Sequence, residues 1–268
     1  MLWVLLGFIG LFVGAFGTLI GAAGGFLLVP VLLFLYPQDT PATITSITLS
    51  VAFFNALSGS IAYGRLRRID YRSGLLFSMA TVPGAVIGAS ITASLSRGIF
   101  QTIFAVVLLL VAGYLMVRPE RRSSGVAASG HTVREITDSH GNTFTYSYSR
   151  VRGIAIAFGI GLISGLLGIG GGIIHVPAMT QVLFFPVHIA TATSHFVVAI
   201  TTFAAVITHV AAGAFTEGVR RVAVLSAGAI VGAQFGARLS HRVSGVLIVR
   251  LLATGLALVA IRLLVAPV

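Results

Sequence analysis

Apolar stretches of membrane-crossing length, separated by short polar segments that carry arginine, make up almost the whole chain. Eight spans are read, over 2–35, 42–64, 73–94, 98–117, 152–184, 189–212, 221–239 and 245–266. Most approach the ~20 helical residues that a ~30 Å hydrocarbon core requires. The first and fifth are too long for one crossing, since an unbroken helix over 2–35 would rise about 51 Å at ~1.5 Å per residue. Both contain a glycine cluster, at 21–25 and 168–172, and glycine disfavours a continuous helix. The pattern predicts an all-α polytopic membrane protein of about eight transmembrane helices, broken in its first and fifth spans.

The two long stretches resemble each other. Gly14–Pro30 reads GAFGTLIGAAGGFLLVP and Gly161–Pro177 reads GLISGLLGIGGGIIHVP. Gly14, Leu19, Gly21, Gly24, Gly25, Val29 and Pro30 meet Gly161, Leu166, Gly168, Gly171, Gly172, Val176 and Pro177. Thr45-Ser46 then aligns with Thr193-Ser194, and Gly84, Gly88 and Ala89 with Gly228, Gly232 and Ala233. The chain thus divides into repeat one over 1–117, a linker over 118–151 and repeat two over 152–268. Within the linker, SSGVAASG at 123–130 has the composition of a flexible tether. Phe144, Tyr146 and Tyr148 alternate with Thr145, Ser147 and Ser149 after a turn cluster at 138–142, which predicts a small β-hairpin.

Composition places this pattern in a bilayer. The chain is 57% hydrophobic and 9% charged, with mean hydropathy +1.04, whereas soluble domains carry about a quarter charged residues. All 17 basic residues are arginine and the net charge is +11. Because they sit between apolar spans, this charge points to the positive-inside rule and not to nucleic acid. Counting each long stretch as one crossing puts Arg65, Arg67, Arg68, Arg72, Arg118, Arg121, Arg122, Arg134, Arg150, Arg152, Arg220, Arg221 and Arg262 on one side. Arg97, Arg238 and Arg242 fall on the other. That count makes the hairpin and both termini cytoplasmic and the repeats parallel, and a re-entrant hairpin in a long stretch would change the parity. There is no cysteine, so disulfide and thiolate chemistry are excluded.

No carboxylate lies in any span: Asp39, Asp70 and Glu217 fall in loops, and Glu120, Glu135 and Asp138 in the linker. Cation cargo normally needs buried acids, so no metal site and no cofactor are expected. An anion site is easier to build. Half-helices starting near Phe26 and Ile173 would turn N-terminal amides and partial positive charge toward an anion. Gly24, Gly25, Gly170, Gly171 and Gly172 would let the backbone approach it, or serve only close helix packing. Thr45, Ser46, Thr193 and Ser194 are hydroxyl donors for an anion or, alternatively, helix caps. His175 and His195 have apolar counterparts in repeat one and are either titratable site groups or neutral interhelical bridges. Trp3, Tyr63 and Tyr114 are assigned to interfacial aromatic belts.

The doubled glycine motif, the Thr-Ser pairs that follow it and the Gly-Ala pattern of the third and seventh spans together resemble the TauE/SafE family of membrane permeases, the sulfite exporters. The resemblance covers nearly the whole chain. It departs in repeat one, where Thr18 and Ala23 stand opposite Gly165 and Gly170. The resemblance implies a multi-pass carrier of the bacterial inner membrane, not an enzyme, moving a small anion such as sulfite or an organosulfonate. An anion channel and an intramembrane enzyme are the alternatives. The partners expected are the anionic substrate and the lipid bilayer, with no nucleic acid, and a homo-oligomer is compatible with the sequence.

Overall fold

The computed structural model describes residues 2–117, 131–211, 213, 218–240 and 242–265. Arg118, Glu120, Arg121, Arg122, the 123–130 tether and Glu217 lie outside the described residues. Repeat one contains α1 (Leu2–Ile20), α2 (Gly25–Leu35), α3 (Pro41–Arg65), α4 (Tyr71–Thr92) and α5 (Arg97–Val117). The hairpin is β1 (Thr132–Thr137) and β2 (Thr143–Tyr148). Repeat two contains α6 (Arg150–Leu167), α7 (Gly172–Pro177) with a π-helical turn over Ala178–Val182, α8 (Val187–Ala211), α9 (Val219–Leu239) and α10 (Gly245–Val265). Among the described residues, eight helices are long and apolar enough to cross a membrane; α2 and α7 are shorter.

Local chemistry sets the boundaries. Thr40 caps α3 by accepting from the Thr43 amide, and Pro41 stands at the first turn, where a missing N–H costs nothing. Asp70 caps α4 by accepting from the Ser73 amide. Thr45 and Ser46 lie inside α3, and Thr193 and Ser194 inside α8, so the capping alternative does not hold for them. α1 stops at Ile20 because Gly21, Ala23 and Gly24 take left-handed φ of 81°, 50° and 76°. α6 stops at Leu167, followed by Gly168, Gly170 and Gly171 at 70°, 71° and 82°. Ala23 adopts the conformation of Gly170 without being glycine, a strained position for an L-residue.

Side-chain bonds sort the loops into two ends. At one, Arg97 at the start of α5 donates to the carbonyls of Asp39 and Leu33, and Arg221 near the start of α9 pairs with Asp39 at 2.5 Å. Arg262, late in α10, lies over Phe34. At the other end, Arg68 pairs with Asp138, Arg134 pairs with Asp70, and the Asp70 amide donates to Thr193, near the start of α8. The α2–α3, α4–α5 and α8–α9 connections therefore share the Asp39 end. The α3–α4 connection, the hairpin and the start of α8 share the opposite, hairpin end.

Two glycine-lined pairs fix the remaining directions. Gly10 and Gly14 of α1 lie on Leu225 and Ala229 of α9, and Gly236 of α9 on Ala15 and Leu19 of α1, so these helices are parallel. Gly161 and Gly165 of α6 lie on Thr81 and Ala85 of α4, again parallel. α1 thus runs toward the hairpin end and α2 turns back to Asp39. α6 runs toward the Asp39 end, and α7 with its π turn comes back to the hairpin end.

Each long stretch is consequently a hairpin that enters and leaves at one end, and each repeat crosses an odd number of times. The two repeats run in opposite directions, not parallel as the one-crossing count implied. Both chain ends still share a side, but it is the Asp39 end, opposite the β-hairpin. Arg238 and Arg242 move to the hairpin end, beside Arg65, Arg67, Arg68, Arg72, Arg134, Arg150 and Arg152. Arg220, Arg221 and Arg262 move to the end of Arg97. His188, the second residue of α8, also belongs to the hairpin end.

The antiparallel hairpin, in register Arg134–Tyr146 and Thr132–Tyr148, is docked rather than free. Tyr146 and Tyr148 are buried on Phe185, and Tyr148 also meets Phe77 edge-on. Buried Asp70 accepts from Arg134 at 2.7 Å, Ser73 at 2.5 Å and Tyr146 at 2.7 Å. Burial alone would raise the Asp70 carboxyl, but these bonds outweigh it and hold it below the ordinary carboxylate range. Asp138 is likewise opposed by burial yet lowered to about 2 by Arg68 and by bonds from Asn142 and His140. Burial, then the Asp70 charge, pushes the Tyr146 phenol well up.

Candidate functional site

The two glycine loops meet in the interior, each arriving from a different end. Gly21 faces Thr191, one turn into α8 from the hairpin end, and Gly168 faces Thr45, one turn into α3 from the Asp39 end. Between them Gly25 packs on the backbone of Ile169, and Gly172 on Gly21 and Ala22. A Cβ at Gly25 would lie 2.9 Å from the Ile169 carbonyl, so only glycine permits this approach. The N-termini of α2 and α7 thus start at the junction and point away from it toward opposite ends. Half-helices with their positive ends at mid-depth are the arrangement from which anion sites in transporters are built.

Polar side chains collect around the junction. Thr18, on the last turn of α1, donates to Asn55 Oδ1 at 2.6 Å and lies 3.2 Å from His195 Nε2. Asn55 Nδ2 donates to the Ala23 carbonyl at 3.1 Å, tying α3 to the first glycine loop. Ser194 Oγ donates to the Gly21 carbonyl at 3.0 Å. Ser164 and His175 flank Gly171. Thr18, Asn55, Ser164, His175, Ser194 and His195 are all buried. Ser164 Oγ has no hydrogen-bond partner among the described residues, while the His175 and His195 rings each lie against a backbone group one turn earlier, at Gly171 and Thr191.

Of the residues singled out from sequence, Gly24, Gly25, Gly170, Gly171, Gly172, His175, Ser194 and His195 come together here. Thr45 lies against Gly168 on the Asp39 side of the junction, donating to the Pro41 and Ala42 carbonyls and lying 3.5 Å from His209, and Ser46 beside it donates to the Thr43 carbonyl. Thr193 faces the hairpin end through Asp70. Tyr63 is no belt residue, since it is fully buried and donates to the Thr18 carbonyl at 2.8 Å. Sequence reasoning did not select Thr18, Asn55 or Ser164 as site residues. The signal for Thr18 was its departure from the glycine of repeat two.

The fold and the junction define a polytopic α-helical membrane protein in which two glycine loops meet inside the bundle. The Sulfite exporter TauE/SafE family profile matches residues 6–263, and the chain belongs to this family. It is 33% identical over 270 residues, 98% of each chain, to the probable membrane transporter protein YunE of Bacillus subtilis. It is 25% identical over 223 residues, 81% of this chain and 75% of the relative, to the probable membrane transporter protein MJ0441 of Methanocaldococcus jannaschii. A probable membrane transporter protein of Haemophilus influenzae is 27% identical over 165 residues, 61% of this chain and 56% of its own. No solved structure gives a significant match. The chain is a multi-pass membrane transporter of the TauE/SafE type.

Proposed function

We propose that the protein is a secondary carrier that moves a small oxoanion, sulfite or an organosulfonate, across the bacterial inner membrane by alternating access, and that it catalyses no chemical reaction. The observation that carries this reading is the contact between the two glycine loops, which brings the start of α2 and the start of α7 together inside the bundle. Backbone amides and helix dipoles there favour negative charge. The spans have no carboxylate that would repel it. Two repeats of opposite direction supply two related arrangements, one open to each side, around a fixed site. The arginine bias supports a cytoplasmic hairpin end. Gly24, Gly25, Gly170, Gly171, Gly172, His175, Ser194 and His195 form the site in this reading, joined by Thr18 and Asn55. Thr45, Ser46 and Thr193 act at its approaches.

Counterflow in liposomes tests it. Vesicles loaded with unlabelled sulfite should accumulate external radiolabelled sulfite transiently and saturably, and methanesulfonate or another organosulfonate should compete. Non-saturable flux with single-channel currents would replace the carrier by a pore.

A further inference from the structure

We propose that a cleft between α3 and α8 binds one anionic phospholipid of the hairpin-side leaflet, with an acyl chain laid along the cleft and the headgroup phosphate on Arg65. The inference concerns a partner from the bilayer and does not depend on which anion is carried.

α3 and α8 are the innermost spans: 72% of the spanning window of each is buried, against 50% or less in the other six. A cleft of about 720 Å³ nevertheless opens between them. One wall is a stripe of α3 at four-residue spacing, Phe53, Leu57, Ile61 and Arg65, which places all four on one helix face. The other wall is Phe196, Ile200 and Phe203 of α8. Leu57, Ile61 and Phe203 are 43%, 51% and 53% exposed, so the apolar walls lie open to the bilayer. From Phe53 to Arg65 the stripe rises about 18 Å at ~1.5 Å per residue, close to the ~15 Å of hydrocarbon in one leaflet. That length suits one lipid chain. A spanning helix from a second copy needs a seam of the full ~30 Å. Ala199, on the cleft wall, packs with Ala23, Ala52, Ala56 and Val198, so the chain would lie one side chain behind the first glycine loop.

Charge marks the hairpin end of the cleft. Arg65 ends the apolar stripe there, and Tyr71, edge-on to Phe196, adds a hydroxyl. Arg65 and its neighbours Arg67 and Arg72 are exposed and form no ion pair among the described residues. The buried carboxylates of this end are already taken, Asp70 by Arg134 and Asp138 by Arg68. Exposed Glu135 pairs with no arginine among the described residues. The protein thus supplies no counter-ion for Arg65. A guanidinium meets a phosphate through two parallel N–H···O bonds, and the cytoplasmic leaflet is the one rich in anionic lipid. An apolar cleft one leaflet deep, ending in an unpaired guanidinium at headgroup level, matches both parts of an anionic phospholipid.

The test uses the purified full-length chain in neutral detergent, with chain-brominated phospholipids as quenching probes. The chain has one tryptophan, Trp3, so Trp3→Phe combined with Leu57→Trp moves the fluorophore into the cleft. Brominated phosphatidylglycerol should quench it at a several-fold lower mole fraction than brominated phosphatidylcholine. Adding Arg65→Gln should bring the two lipids level. Trp3 of the wild type, outside the cleft, should show no such preference. A second measurement needs no reporter. Phosphatidylglycerol should raise the wild-type thermal midpoint saturably, as a ligand of the folded state does, and more than phosphatidylcholine. Arg65→Gln should abolish that difference, and inorganic phosphate should not reproduce it. Equal quenching by the two lipids in the cleft, or a lipid response that Arg65→Gln leaves unchanged, would overturn the inference. Equal stabilisation by inorganic phosphate would assign Arg65 to a soluble anion and overturn it too. So would a wild-type dimer that Leu57→Trp converts to a monomer, since a second copy would then fill the cleft.

Discussion

Gly172 stands against Gly21 so closely that a Cβ on Gly172 would lie 2.5 Å from the Gly21 carbonyl oxygen and 2.6 Å from the Ala22 Cα. Neither neighbour can yield, because both atoms are backbone. Gly172→Ala should therefore cost about 1–3 kcal/mol as an overpacking change and abolish counterflow, since the loops can no longer meet. Gly159→Ala is the control: no atom lies within 4 Å of its added methyl. It should leave transport unchanged and stability equal or higher by up to ~1 kcal/mol. Thermal midpoints and counterflow rates measured on both variants check the pair.

The equivalent positions Ala23 and Gly170 give a backbone prediction. Ala23 holds φ at 50° without the freedom of glycine, and Gly170 holds 71°. A Cβ at Gly170 would meet Ala52, Val198 and Thr202 no closer than 3.3 Å, so its cost is mainly conformational. Gly170→Ala should lower stability by about 1–2 kcal/mol and retain measurable transport. Ala23→Gly should be neutral or stabilising, because relief of left-handed strain offsets the added freedom of the unfolded chain. A clear loss of stability on Ala23→Gly would contradict left-handed strain at this position.

The docked hairpin should respond to acid in a defined window. Carboxyls whose folded pKa is depressed contribute stability above their unfolded value, about 3.9 for aspartate, and lose it as pH falls through the folded value. For Asp138 that folded value is about 2, and Asp70 shifts in the same direction. Pepsin should spare the bonds at Phe144 and Tyr146 at pH 4 and cut them as pH approaches 2. Asp138→Asn should already be cut at pH 4. Equal cleavage of wild type and variant at pH 4 would mean the ion pairs do not hold the hairpin down.

Opposite repeat directions are checked by accessibility, aided by a natural sequence that contains no cysteine. Thr145→Cys in the hairpin and Ser244→Cys between α9 and α10 should resist impermeant thiol reagents in intact cells and react after lysis. Arg220→Cys, at the start of α9, should react from outside. A parallel arrangement would exchange the Ser244 and Arg220 results.

Much of this architecture is legible in the sequence, for identifiable reasons. The glycine clusters are visible because three or more glycines fall in a stretch too long for one crossing. The hairpin is visible because Tyr146 and Tyr148 alternate with polar residues in an otherwise apolar chain. Direction is not legible: α2 and α7 are as apolar as their neighbours, so nothing in the hydropathy marks them as returning rather than crossing. The site is legible only where it is local. Thr18 and His195 are 177 residues apart, and their contact has no sequence signature. Ser164 reads as an ordinary small residue on a packing face, and only the geometry of Gly171 reveals its unpaired hydroxyl.

An anion bound where the two glycine loops meet is the core of the transport mechanism, and selenite reports on it directly. It is a pyramidal oxoanion of sulfite shape whose heavy central atom scatters anomalously. In crystals of the full chain grown with selenite at a concentration that displaces sulfite in solution, one dominant anomalous peak should appear between residues 21–25 and 168–172. A dominant peak elsewhere, at the Arg221–Asp39 cluster or against the hairpin, would contradict the central claim.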